Sequence, residues 1–227
     1  MLITCVLCIL FYILNIPKLR CAQPITNQLY TRLLHTIPTL QTGDVILVRK
    51  RFPQDFTDNI LYYYFQGHAV MCIRINNTVY GLDLINKKTD FPSNRTHIKF
   101  MNSTQTMRIF RLEEYIRETL HTYNSEITLY TSKQKVSSHD LQQRNCRMFC
   151  FLHYAQHMNI QYAPTYHQLC YFMYDQLCIP FLPITYLNCT QFISLAYAYI
   201  YDTPIKLAFY GVKLQYILEQ HMHKTVF

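Results

Sequence analysis

Residues 187–197 read LNCTQFISLAY, and the cysteine in this stretch is well placed to do chemistry. Asn188 is a good helix N-cap, and Gln191, three residues on, matches the return half of a capping box, so Cys189 becomes the first residue of a helix. Cys189, Phe192, Ile193, Ala196 and Ile200 fall on one helical face, which turns the thiol inward with the apolar stripe. A thiol at a helix N-terminus meets the positive end of the dipole and nearby backbone N–H groups, an environment that favours the thiolate and can hold an oxyanion. A packed core thiol is the plain alternative.

A nucleophilic thiol needs a base. Of ten histidines, His68 stands apart because it opens the apolar strand GHAVMCIRI behind Gly67. Side chains alternate along a strand, so His68, Val70 and Cys72 look one way and Ala69, Met71 and Ile73 the other. Both faces are apolar, and a histidine at the end of a buried strand is costly without a partner. A purely structural hydrogen bond would also satisfy it.

The elements that must position these residues follow from periodicity. Residues 28–37 form a short amphipathic helix. TGDVILVRKRF, residues 42–52, is a turn and a strand rich in β-branched residues. The strand from Gly67 turns at Asn76 and Asn77 into a third strand, NNTVYGLDLI, giving a hairpin. Residues 97–101 and 106–112 supply one or two more strands. The grammar then changes to helices: Glu113 to His121, His139 to Met158, Pro164 to Leu177, Cys189 to Tyr201 and Val212 to His223, with ITLYTSKQ as a small extra strand. Strands first and helices later indicate an α+β domain with an antiparallel sheet.

Taken in order, GDVILVR, GHAVMCI, VYGLDLI, MRIFRL and NCTQFISLAY resemble the circularly permuted branch of the papain-like (NlpC-type) thiol hydrolases, which includes lecithin:retinol acyltransferase-like enzymes and a poxviral branch. The resemblance covers roughly residues 40–112 and 186–201 and rests on Gly43-Asp44, Gly67-His68 and Cys189-Thr190. It implies a permuted papain-like fold: an antiparallel sheet packed against the nucleophile helix, with a helical insertion at about 113–180. It also implies Cys189 and His68 as a catalytic pair. The family's spacing places the third, polar residue at Tyr80, whose hydroxyl would orient the imidazole. Asp83 is the alternative, on the opposite face from Tyr80. Asp44 is read as structural, bonding backbone near the strand start.

Composition bounds the rest. The chain has 227 residues, half of them apolar, and a net charge of +8. The basic residues are scattered, so no specific nucleic-acid partner is expected. Nine cysteines, odd in number and irregular in spacing, read as free thiols in a reducing compartment rather than as a disulfide framework. The opening run MLITCVLCILFYILNI carries no charge; as a helix it spans about 24 Å. With Lys18 and Arg20 downstream, residues 2–16 read as a membrane anchor within an appendage of residues 1–22, leaving a domain of residues 23–227 on the cytosolic side. A cleaved signal and a secreted or lumenal domain is the alternative. Sequons stand at Asn76, Asn94, Asn102 and Asn188, and a glycan on the last would sit beside the nucleophile. CRMFCFLHYAQH puts Cys146, Cys150, His153 and His157 on one helical face. Four ligands spread over about 16 Å of straight helix cannot close on one ion. His153 and His157 would need help from elsewhere, and core packing with a polar fringe is the reading adopted. No cofactor motif and no metal site is assigned.

The expectation is a cysteine hydrolase or acyltransferase acting on an acyl, peptide or lipid substrate through an amide, ester or thioester carbonyl. A catalytically inactive, membrane-associated binding module on the same scaffold, such as a viral accessory protein, is the alternative, and tyrosine at the third position is its best support.

Overall fold

Five short β-branched or aromatic runs and a C-terminal strand build one antiparallel sheet. The structure, a computed structural model, describes residues 27–50, 67–85, 107–123, 125–133, 136–163, 185–208 and 211–227. The strands are β1 (Val45–Lys50), β2 (Gly67–Ile75), β3 (Thr78–Leu84), β4 (Met107–Arg111), β5 (Ser125–Ser132), β6 (Gln161–Tyr162), β7 (Tyr186–Leu187) and β8 (Met222–Val226). The helices are α1 (Asn27–Thr36), α2 (Leu112–Tyr123), α3 (Ser138–His157), α4 (Cys189–Tyr201) and α5 (Gly211–His221). The six-stranded sheet runs β4-β3-β2-β1-β5-β8, and β6 and β7 form a separate parallel pair. The expected neighbours β1, β2 and β3 are adjacent and antiparallel.

The β2–β3 hairpin closes through Asn76 and Asn77, with Ile75 paired to Thr78. Asn76 takes a positive φ of 54°, which asparagine tolerates better than a branched residue would. This two-residue turn sets the register, so Cys72 lies opposite Gly81 and Met71 opposite Leu82. The even positions of β2 thus share a face with the odd positions of β3.

Each face of the sheet carries its own core. On one side Val45, Leu47, Met71, Leu82 and Leu84 meet Phe192, Ile193, Ala196 and Ile200 of α4, so the apolar stripe of that helix lies on the sheet. Phe151 of α3 packs in tilted contact with the Phe192 ring at 5.3 Å and the Tyr199 ring at 5.6 Å, which covers the outer side of α4. On the other side Ile46, Val70, Cys72 and Phe110 meet Leu33 of α1 and Tyr115 and Ile116 of α2.

Several expectations change. ITLYTSKQ is not a minor strand: β5 lies inside the main sheet between β1 and β8, so the segment 113–180 is not purely helical. The last helix ends at His221 and its expected final residues pass into β8. Among the described residues no helix is long and apolar enough to cross a membrane, which corrects the expected membrane-spanning helix. Residues 2–16, on which that expectation rested, lie outside the described residues, as do the strand at 97–101 and the helix Pro164–Leu177.

Gly81 is required by close approach rather than by a turn. A Cβ there would sit 2.5 Å from the Phe110 ring and 2.8 Å from Val70. That ring is fully buried and packs on Tyr115 with centroids 4.6 Å apart, so it has nowhere to retreat. Gly81→Ala is expected to cost about 1–3 kcal/mol by overpacking. In urea unfolding the midpoint should fall with little change in slope, and an unchanged midpoint would show that the strand yields freely.

Candidate active site

The thiol is held by a helix cap. Asn188, in extended conformation, accepts the Gln191 backbone N–H on Oδ1 at 2.8 Å, and Gln191 Oε1 accepts the Asn188 N–H at 2.9 Å. Both side chains are buried, so the capping box has no water to compete with it. A second latch comes from the irregular segment after α4. Thr190 Oγ1 donates to the Ala208 carbonyl at 2.9 Å, and the Ala208 N–H donates to Ser194 Oγ at 3.0 Å. These bonds fix the first turn of α4 and with it Cys189, which is 7% exposed. They also place the sequon residue Asn188 in the interior, with its Oδ1 engaged in the cap rather than presented at the surface.

The imidazole comes from the sheet. His68 is the second residue of β2, opposite Val48 of β1, and its side chain is 17% exposed. The imidazole hydrogen-bonds Cys189, so the start of α4 and the start of β2 meet at one end of the sheet. His68 Nε2 lies 2.8 Å from Asp83 Oδ2. A carboxylate only accepts, so Nε2 carries the hydrogen and Nδ1 is the nitrogen left for the thiol.

Asp83 is fully buried and doubly held. Arg108, its cross-strand partner on β4, donates from Nε to Oδ1 at 2.9 Å and from Nη2 to Oδ2 at 2.5 Å. Arg108 in turn lies over the Phe110 ring at 5.3 Å. The chain Cys189–His68–Asp83–Arg108 therefore runs from the helix terminus across three adjacent strands. Burial pushes the Asp83 carboxyl up, but Arg108 and His68 outweigh it and hold the group below the ordinary carboxylate value. For His68 burial pulls the other way from its partners. The hydrogen bonds to Asp83 and Cys189 win and push it up to about 9.

Tyr80 does not play the expected part. It pairs with Ile73 and joins the core on the α4 side of the sheet, opposite Asp83, and the imidazole's partner is the alternative candidate, Asp83. The hairpin register carried this signal. Counting back from Ile75 opposite Thr78 sets Val70 opposite Asp83, on the His68 face. Arg108 was not singled out from the sequence, although a cation between apolar neighbours in MRIFR, one strand beyond Asp83, marks a buried pair.

The other candidates lie elsewhere. Asp44 accepts the Gln41 N–H at 2.8 Å and the Ser132 N–H at 3.3 Å, a backbone-bonding role, and burial pushes its carboxyl up to about 6. Cys72 is buried on β2, where burial and the neighbouring Asp44 push its thiol well up, the opposite of what a nucleophile needs. Cys146 and Cys150 are free and exposed, as are His153 and His157, so this stripe faces solvent and the core-packing reading of it is corrected. Among the described residues no group of three such side chains is placed to hold a metal ion.

No family model, no curated protein and no solved structure matches the chain.

His68 binds its proton more tightly folded than unfolded. Its contribution to stability is therefore complete below about pH 6.5 and is lost as pH rises through about 9. The difference is on the order of 3 kcal/mol. Wild type should lose stability between pH 6.5 and 9, measured as urea midpoints, and His68→Gln should be flatter across that window. Superimposable profiles would mean that His68 carries no such coupling. Arg108→Met should be more damaging than a surface substitution, by about 3–5 kcal/mol, because it strands a buried carboxylate; a cost below about 1 kcal/mol would show that Asp83 is not held as an anion by this pair.

Proposed function

We propose that the chain is a cysteine hydrolase or acyltransferase in which Cys189 is the nucleophile, His68 the acid–base group and Asp83 the residue that orients the imidazole. The observation that carries this reading is the Cys189–His68–Asp83 hydrogen-bonded chain at a helix N-terminus. The order of its parts, histidine strand, acid strand, then nucleophile helix, supports the permuted papain-like arrangement as the finer description of the fold.

The steps follow from the geometry. His68 accepts the Cys189 proton, and Asp83 stabilises the resulting imidazolium through Nε2–H. The thiolate attacks the carbonyl carbon of an amide, ester or thioester. The backbone N–H of Cys189 helps to hold the oxyanion, as first-turn N–H groups do. Collapse of the tetrahedral adduct breaks the bond to the leaving group, to which His68 returns the proton. The acyl group is now a thioester on Cys189. Water attacks it, activated by His68, and hydrolysis completes the cycle; an alcohol or amine acceptor in place of water completes a transfer. Arg108 touches none of the reacting atoms in this scheme. It positions Asp83 and keeps it ionised.

An acyl, peptide or lipid chain remains the substrate class. The inert-module alternative leaned on a tyrosine at the third position, and a buried carboxylate in hydrogen-bond contact with the imidazole removes that support.

A thiol-directed acylating probe tests the proposal, with the adduct located by peptide mass mapping so that the exposed Cys146 and Cys150 are scored separately. Wild type should acylate rapidly at Cys189 near neutral pH, and Cys189→Ala should lose that adduct alone. His68→Gln should slow it by about 100-fold or more. Asp83→Asn should also slow it, whereas Tyr80→Phe should change it less than about twofold. Acylation of Cys189 no faster than of Cys146, or indifference to His68→Gln, would sink the reading.

A further inference from the structure

The solvent face of α3 carries a second set of chemically active residues, independent of the site at Cys189. Cys146, Cys150, His153 and His157 are all exposed, and both thiols are free. At 3.6 residues per turn the four fall within an arc of about 60°. The opposite side of α3 holds Met148, Phe151, Leu152 and Ala155, all buried against the core. The helix is thus anchored along one side and offers these ligands directly outward on the other.

The spacing is four, three, four, which has two consequences. Each four-residue step places two ligands one turn apart, with Cβ atoms about 5–6 Å from one another, close enough for both to reach one ion. A thiol pair and an imidazole pair are therefore two bidentate half-sites, each needing two more ligands to complete a tetrahedron. The pattern is also its own mirror image. When a second α3 lies antiparallel across the midpoint between Cys150 and His153, Cys146 and Cys150 of one chain face His153 and His157 of the other. The same alternation of three and four is the seam spacing of paired helices. Phe149, 45% exposed, flanks the stripe and adds apolar area to it.

We propose that α3 is a metal-dependent dimerisation face, in which two copies of this chain bind two divalent ions of the zinc class. Each ion is held by Cys146 and Cys150 of one copy and His153 and His157 of the other. The two sites would lie about 10 Å apart along the helix pair. Two thiolates neutralise each dication, so no net charge is left at the interface, and binding releases the thiol protons. A single chain cannot form the site, since its four ligands are strung along one straight helix.

Sedimentation of the full chain with and without zinc chloride, with bound zinc counted per chain, tests this. Wild type should be a monomer in chelator and a dimer with one ion per chain in zinc. Cys146→Ser/Cys150→Ser and His153→Gln/His157→Gln should each stay monomeric with zinc present, with circular dichroism unchanged and Cys189 still open to acylation. The deciding arm mixes the two variants. One site of the mixed dimer then has all four ligands, so the mixture should recover a dimer with one ion per two chains, and cobalt in place of zinc should show thiolate charge-transfer absorption in wild type and in that mixture but in neither variant alone. A wild type that stays monomeric in zinc, or a mixture that fails to recover the dimer, overturns the proposal.

Discussion

The arrangement at the end of the sheet depends on one buried anion. Asp83 has no access to water and would be costly there alone, since a carboxylate moved out of water loses far more than one hydrogen bond returns. Arg108 answers with a two-pronged contact, and His68 takes the remaining direction on Oδ2. Three neighbouring strands each supply one member of this group. A slip of one residue in either pairing would send Asp83 or Arg108 to the opposite face and leave a charge stranded in an apolar core. The polar contacts therefore select the register, and the register in turn delivers His68 to the start of α4.

The thiol end is organised by a different device. A buried capping box, the latch at Ala208 and a helix surrounded by core on nearly every side hold the first turns of α4, and Arg147 holds its far end through the Ile200 carbonyl and Asp202. Nearly every residue from Cys189 to Ile200 is buried, so the helix has little freedom to rotate or slide. The imidazole is positioned by electrostatics across the sheet and the thiol by packing and caps along a helix. Because the two frames share the core formed by Phe192, Ile193, Met71 and Leu82, neither can shift without the other.

What could be read from the residues was mostly local. The cap at Asn188, the inward face of α4, the hairpin at Asn76 and the histidine behind Gly67 are all set by neighbours within a few positions, where periodicity and turn chemistry decide. Family spacing points to Tyr80, whereas the register set by the two-residue turn puts Asp83, not Tyr80, on the His68 face. Arg108 was missed because its meaning comes from a partner on another strand. The place of β5 was missed for a related reason: a short strand between two helices gives no local sign that it will sit inside the sheet, and only pairing with β1 on one side and β8 on the other puts it there.

The four described cysteines show how far environment governs one side chain. Cys72 lies on the same strand as His68, yet its neighbour is Asp44, an acid pushed towards its neutral form by burial, and burial and that acid together push the thiol up. Cys189 has a helix terminus beneath it and an imidazole beside it that is itself fed by a carboxylate. Cys146 and Cys150 lie mid-helix and exposed, one helical turn apart. Composition scores these residues identically and hydropathy separates them poorly. The distinction arises only when the register of β2 and β3 and the facing of α3 are both known. For this chain the sheet register is thus the step at which sequence becomes chemistry, and the short turn at Asn76 and Asn77 carries more functional information than the motifs on either side of it.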